Sequence, residues 1–208
     1  MTDLQNRILD AAIPAIVFDG WTLGTLESAA ASISLSAFDV KRAFPGGIAE
    51  AVAAFSARAD ARMLATLRAD YDLPAMKIRE RIATAVMVRL RQLAPQREAV
   101  RRMVAFYALP WHTADGLRAL YATTDAIWRE AGDTSTDYNF YTKRLMLAKV
   151  ITTTLTVWLD DDSDGLADTE AFLRRRIENV MQIEKLKAKA RTHLGKLSDW
   201  LPDFARRA

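Results

Sequence analysis

Phe18-Asp19-Gly20-Trp21-Thr22 opens the passage whose spacing decides the fold. It is followed by a helical run over 23–32, the tight connection Ile33-Ser34-Leu35, a second short helix over 36–44, and Phe44-Pro45-Gly46-Gly47. Upstream, Leu4, Ile8, Ala11, Ala12 and Ala15 recur at three-to-four spacing, so 4–18 reads as a first helix that Asp19-Gly20 ends. Three short helices with turn residues between them make a compact helical unit at the N-terminus.

Working outward, the same period continues almost without interruption. A longer helix runs from Gly47 to about Leu67, and Leu73-Pro74 opens another carrying Ile78, Ile82, Val86, Leu90 and Leu93. Pro95 and Pro110 bracket a helix with Val100, Met103, Val104 and Tyr107. Leu117, Leu120, Tyr121, Thr124, Ile127, Trp128 and Ala131 then form an amphipathic stripe. After a polar loop over 132–137, the helix up to Leu159 is apolar on almost every side. That is the mark of a helix packed against several neighbours or shared with a second copy. A turn over 160–165 leads to a helix over 168–183 with Phe172, Ile177, Val180 and Met181. No alternating strand pattern interrupts these runs, so the fold class is all-α. The expected organisation is an N-terminal helical subdomain over 1–55, a helical bundle over 56–184, and a tail helix over 185–208.

Composition narrows the chemistry. The 208 residues contain no cysteine and two histidines, His112 and His193. This removes disulfides, thiol catalysis and Cys-ligated metals, and leaves little for a His-based site. No Glu-x-x-His pair accompanies them, so neither metal nor cofactor is expected and no catalytic residue is assigned. The N-terminus lacks a secretory or transit pattern, and the longest largely uncharged run, over 150–159, is too short to span a bilayer. These features suggest a cytoplasmic protein. The net charge of +3 is unevenly spread: residues 185–208 carry +5, and the rest of the chain carries −2.

The tail has a definite design. Leu186, Ala190, His193, Leu194, Leu197, Trp200, Leu201 and Phe204 fall on one arc of a helical wheel, and Lys185, Lys187, Lys189, Arg191 and Lys196 fall outside it. Such a helix suits the plane of an anionic membrane, with Leu194, Leu197, Trp200, Leu201 and Phe204 as the contact residues. Docking on the protein's own core is the other reading, and Pro202 should end the helix near Trp200 in either case.

Asp160-Asp161-Asp162-Ser163-Asp164-Gly165 has the opening of a calcium loop. The twelfth position, where a bidentate Glu must close the loop, is Ala171, and Glu170 falls one residue early. A polar turn whose acids favour the start of the next helix is the better reading.

Residues 1–55 resemble the N-terminal domain of TetR-type transcriptional regulators, on Gly20-Trp21-Thr22, the two short helices and Phe44-Pro45. That resemblance implies a helix-turn-helix whose second short helix would lie in the major groove. The charge argues against that use. Residues 1–60 hold four basic and seven acidic groups, and duplex binding draws most of its free energy from neutralising phosphates. Phe38 and Asp39 also stand where groove-contacting polar side chains would be expected. A TetR-like fold without DNA binding is expected, with a ligand-responsive repressor as the alternative.

A longer resemblance rests on Asp125-Ala126-Ile127-Trp128, on Ala131-Gly132-Asp133-Thr134-Ser135-Thr136-Asp137-Tyr138-Asn139-Phe140-Tyr141-Thr142-Lys143-Arg144, and on Trp158-Leu159-Asp160-Asp161-Asp162-Ser163. Ala171-Phe172-Leu173-Arg174-Arg175-Arg176-Ile177-Glu178, Pro95-Gln96-Arg97-Glu98-Ala99-Val100, Phe18–Thr22 and Phe44–Gly47 extend it over most of residues 5–188. On these motifs the chain resembles the COQ9 family of ubiquinone-biosynthesis proteins. The resemblance implies a TetR-like, homodimeric, non-catalytic protein that binds an isoprenoid quinone or phospholipid in an apolar cavity. It also implies membrane contact through the C-terminal helix, at the inner face of the cytoplasmic membrane, and presentation of the lipid to the pathway's hydroxylase. The hydroxylase-binding patch maps to Ile127, Asp137, Phe140 and Tyr141, although Phe140 also fits a core stripe with Leu147, Ile151 and Trp158. The apolar candidates for the cavity are Leu90, Phe106, Trp111, Leu117, Leu120, Leu145 and Leu155.

Overall fold

Thr2, Thr22 and Ser36 each precede a helix and accept a backbone N–H three residues on, which fixes where the first three helices begin. The computed structural model describes residues 1–134 and 138–180, with Tyr138 and Asn139 described by their backbone only. These form α1 (Asp3–Asp19), α2 (Leu23–Ser32), α3 (Ala37–Ala43), α4 (Ile48–Asp70), α5 (Ile78–Leu93), α6 (Arg97–Ala108), α7 (Thr113–Glu130), α8 (Tyr138–Leu159) and α9 (167–180). Among the described residues there is no strand, as the period of the sequence requires. Pro74 shifts one start: Leu73–Ala75 is a turn of 3₁₀ helix, and α5 begins only at Ile78.

The N-terminal unit packs α1 against α2 and α3, with Ile8, Leu9, Ala12 and Ile16 of α1 meeting Leu26, Ala30 and Val40 in a closed apolar centre. Trp21 ties this unit to the bundle. Its indole N–H donates to the Ala99 carbonyl of α6 at 3.1 Å, and its ring lies 5.3 Å from that of Phe55 on α4. The boundary expected after residue 55 falls inside α4, which runs unbroken from α1 to α5 and α7. One continuous core therefore extends from Ile8 to Ile177.

Deep in the bundle, a polar cluster joins three helices. Arg89 of α5 donates to Asp60 of α4 at 2.7 Å and to Ser56 at 3.0 Å, while the Thr123 hydroxyl of α7 donates to Asp60 at 2.9 Å. All four residues are buried, so the pairing restricts how α4, α5 and α7 can slide past one another.

The Asp-rich turn between α8 and α9 is also built inward. Asp161 is buried, and its carboxylate accepts hydrogen bonds from the backbone N–H and hydroxyl of both Ser163 and Thr169. Burial alone would raise its pKa. These donors outweigh that effect and hold the carboxyl well below its ordinary range. Asp160 pairs with Arg101 at 2.9 Å, and Glu170 pairs with Arg91 and Arg174 instead of closing a loop around an ion. The hydrogen bond from Arg174 is the main cause of the lowered Glu170 pKa.

Candidate functional site

The end of α7 is shaped by one glycine. Gly132 sits at φ 91°, in the left-handed region that favours glycine. Its N–H donates to the Arg129 carbonyl at 3.0 Å, and the Asp133 N–H donates to the Trp128 carbonyl at 2.9 Å. This paired closure turns the chain sharply and delivers it to α8. Arg81 of α5 secures the corner, donating to the carbonyls of Met76, Pro74 and, at 2.8 Å, Ala131.

The start of α8 is stapled to α7 by charge. Arg144 is 2% exposed at its side chain and donates to Asp125 at 2.7 Å and Asp133 at 3.2 Å. Lys143 pairs with Asp133 at 2.7 Å and lies 5.5 Å from the Trp128 ring, whose indole N–H donates to the Lys143 carbonyl. A buried arginine held by two carboxylates is costly to desolvate, but it defines one arrangement of the two helices.

Behind this staple lies a cavity of about 670 Å³, within the size range of small-molecule sites. Ile78 and Ile82 of α5 form one wall, and Met146, Leu147 and Val150 of α8 form another. Ile177 and Val180 of α9 close a third side, with Trp128 beneath the corner. Polar groups gather at one end, where Asp133, Thr134, Thr142 and Lys143 meet the lining, and Arg79 stands at the edge. The lining is thus mostly apolar, with a few hydrogen-bonding side chains among it.

Beside the corner, the Phe140 ring covers the Arg144 guanidinium at 3.3 Å, and the Tyr141 ring stands edge-on to Phe140 at 5.1 Å. Phe140 is half-buried by this contact, whereas Tyr141 is 65% exposed. Ile127 must be corrected: it has no exposed surface and belongs to the core, so it cannot meet a partner. Asp137 lies outside the described residues, as do Leu194, Leu197, Trp200, Leu201 and Phe204.

None of the seven apolar residues expected to line a cavity lies among the lining residues of this hollow. Leu90 and Phe106 are core, the latter stacked on His112 at 3.9 Å. Trp111, Leu117 and Leu145 face outward at 70%, 62% and 74% exposure. Leu120 and Leu155 are half-buried against the core elsewhere. Apolar character marks a candidate wall, but only the three-dimensional meeting of helices leaves a gap between walls. The one signal was the apolar circumference of α8, which must find apolar company on several sides.

The described residues contain no group of three or more His, Asp or Glu side chains that could hold a metal, and no helix long and apolar enough to cross a membrane.

Comparisons with known proteins cover most of the chain, and one of them is confined to this end. A family model described as COQ9 matches residues 113–184, which span α7, α8 and α9. The chain is 33% identical over 186 residues to the human protein named "Ubiquinone biosynthesis protein COQ9, mitochondrial", covering 86% of this chain and 58% of that one. The bovine protein of the same name matches at the same identity and coverage, and the Drosophila melanogaster one at 28% over 191 residues. The chain thus spans less than two thirds of the length of these relatives. Among solved structures, a TetR transcriptional regulator from Nitrosomonas europaea superposes with a TM-score of 0.69 at 22% identity, over 85% of this chain and 97% of that one. At that identity the likeness is one of fold, and the all-α TetR-like architecture is established.

Proposed function

Because the chain belongs to the COQ9 family, we propose that it is a non-catalytic lipid-binding protein of ubiquinone biosynthesis. It takes a polyprenyl quinone intermediate into the cavity between α5, α7, α8 and α9 and presents it to a hydroxylase. The observation that carries this reading is the cavity itself: apolar on three sides, polar at one end, and beside an exposed aromatic. Each CH₂ moved from water into such a space gains about 0.8 kcal/mol, so a prenyl chain would be held by its length.

Phe140 and Tyr141 form the proposed hydroxylase contact, with Tyr141 as the exposed anchor, since aromatic residues dominate interface energetics. The tail over 185–208 is the proposed contact with the inner face of the cytoplasmic membrane, where the lipid would enter. The chain is further read as a homodimer, with exposed Leu117 and Leu145 on neighbouring helices offering apolar surface to a second copy.

Native mass spectrometry with lipids retained, beside extraction of the purified protein, tests the reading. A co-purifying prenylated quinone that Met146→Trp or Val150→Trp excludes is the expected result, because either bulky side chain fills the cavity. A repressor would instead bind specific DNA without lipid. On α3, Phe38 is exposed and Arg42 is paired with Asp39 at 2.9 Å, which leaves little for phosphates. Nanomolar gel shifts at physiological salt, with no lipid recovered, would overturn the proposal.

A further inference from the structure

Asp133 faces two ways. Its side chain is 4% exposed, and it is one of the residues that line the cavity. One carboxylate oxygen pairs at 2.7 Å with Lys143, which also lines the cavity. The other pairs at 3.2 Å with Arg144, which does not. Lys143 and Arg144 are consecutive on α8, so their side chains leave the helix about 100° apart. Arg144 donates to the Phe140 carbonyl at 3.1 Å and lies under the Phe140 ring, against which Tyr141 stands edge-on. Neither aromatic residue lines the cavity. A single carboxylate thus joins a cation in the cavity wall to a cation beneath the aromatic pair.

We propose that Asp133 couples occupancy of the cavity to the orientation of the Phe140–Tyr141 surface. The two distances give the direction, because Lys143 holds the carboxylate more closely than Arg144 does. The Lys143 ammonium carries three donors and no acceptor. A head-group oxygen of a lipid in the cavity accepts from it and draws it away from Asp133. The carboxylate then closes on Arg144, whose buried charge gains most from a near partner. The guanidinium in turn fixes the Phe140 ring and, through it, Tyr141. A purely apolar occupant leaves Lys143 in place. The corner has two arrangements that the cavity and the aromatic surface both bias, and such coupling is reciprocal. The inference rests on the reading that the cavity takes a prenyl quinone, and it adds a regulation: the loaded protein presents the ordered docking surface.

Fluorine NMR of the full chain labelled with 3-fluorotyrosine tests it, with the Tyr141 resonance assigned by Tyr141→Phe. The ligands are decylubiquinone and decylbenzene, which share a decyl chain on a six-membered ring and differ in the ring oxygens. Calorimetry reports binding separately. The expected result is that both ligands bind and only the quinone shifts the Tyr141 resonance, along its binding curve. Asp133→Asn should bind the quinone and leave Tyr141 unmoved. Lys143→Gln keeps Arg144 between its two carboxylates, so its Tyr141 resonance should stand at the quinone-bound position before any ligand is added. Bound quinone that leaves the wild-type Tyr141 resonance in place would overturn the coupling and leave the cavity reading standing. An equal shift with decylbenzene, or a quinone-induced shift retained in either variant, would overturn the route through Lys143 and Asp133. No binding of either ligand would overturn the cavity reading and the coupling with it.

Discussion

The two ends of this molecule are held together by different means. In the N-terminal unit, α1, α2 and α3 close over Ile8, Leu9, Ala12, Ile16 and Leu26, each with no exposed surface, and polar groups serve as helix caps at the margin. At the α7–α8–α9 end, buried charges do the fastening: Arg144 with Asp125 and Asp133, and Asp161 with Ser163 and Thr169. Apolar surface there is left uncovered around a cavity of about 670 Å³. A filled core stabilises through burial and has no room for a guest. A core with a gap forgoes some of that burial, so the helices around it need directional contacts to hold the gap open. The difference supports the proposed assignment of function to the end that gives up close packing, with the other acting as its support.

The sharpest way to break this contrast is to remove a fastener. Arg144→Ala leaves Asp125 and Asp133 facing each other's side of the corner without their shared cation, although Arg129 and Lys143 still hold one each. Loss of one partner from a buried ion pair costs about 3–5 kcal/mol, and these remaining partners place the expected loss near the lower figure. Urea denaturation should show it, and lipid capture should fall as α8 loses its place beside the cavity. A loss under 1 kcal/mol would mean that packing alone holds the corner.

Asp161→Asn comes next. Removal of the charge weakens the four hydrogen bonds that join the end of α8 to the start of α9, with an expected cost of about 2–3 kcal/mol at neutral pH. The pH dependence has a fixed sign. The folded-state pKa is depressed, so the stabilisation is fully present above the unfolded value of 3.8 and is lost as pH falls towards the lower folded value. Wild type should therefore lose stability on acidification below about pH 4 that the Asn variant has already lost. Parallel acid titrations of the two proteins by circular dichroism would reveal the opposite: curves that fall together would remove Asp161 from the fastening set.

A smaller effect belongs to the support. Trp21→Phe keeps an aromatic ring over Phe55 and removes the hydrogen bond to the Ala99 carbonyl, at an expected cost of about 1–2 kcal/mol. Lipid capture should be unchanged, because Trp21 is not among the residues that line the cavity. A variant that folds but no longer captures lipid would show that the N-terminal unit is coupled to the cavity after all.

The same contrast explains how much was legible in the sequence. Helix periods such as Val100, Met103 and Tyr107 depend on neighbours a few residues away, and α6 lies at Arg97–Ala108 between the two prolines as the pattern requires. The inward orientation of Asp161 was half legible: its turn could be read, but not that its carboxylate would face Thr169, eight residues on. The cavity was not legible, because Met146 and Leu145 are adjacent apolar residues of the same helix. One lines the cavity and the other is 74% exposed. What separates them is the direction from which α5 and α9 approach α8, and no local pattern records that. Ile127 was misplaced for the same reason: a stripe of apolar residues on α7 has an interior edge and an exterior edge, and its spacing does not say which is which.

The smallest expected change in stability carries the most information about recognition. Phe140 and Tyr141 are neighbours, yet they belong to opposite sides of the contrast. The Phe140 ring covers the buried Arg144, so Phe140→Ala would loosen the corner and reduce partner binding whether or not Phe140 touches the partner. Tyr141 makes an edge contact with Phe140 and is otherwise largely in solvent, so Tyr141→Ala should change stability by less than about 0.5 kcal/mol. An exposed aromatic at the centre of an interface typically contributes about 2 kcal/mol or more. Tyr141→Ala should therefore weaken capture of the hydroxylase at least tenfold while lipid content and melting temperature stay at wild-type values. Retained capture, with Phe140→Ala alone defective, would move the docking surface away from this corner and reduce the aromatic pair to a cover over the arginine.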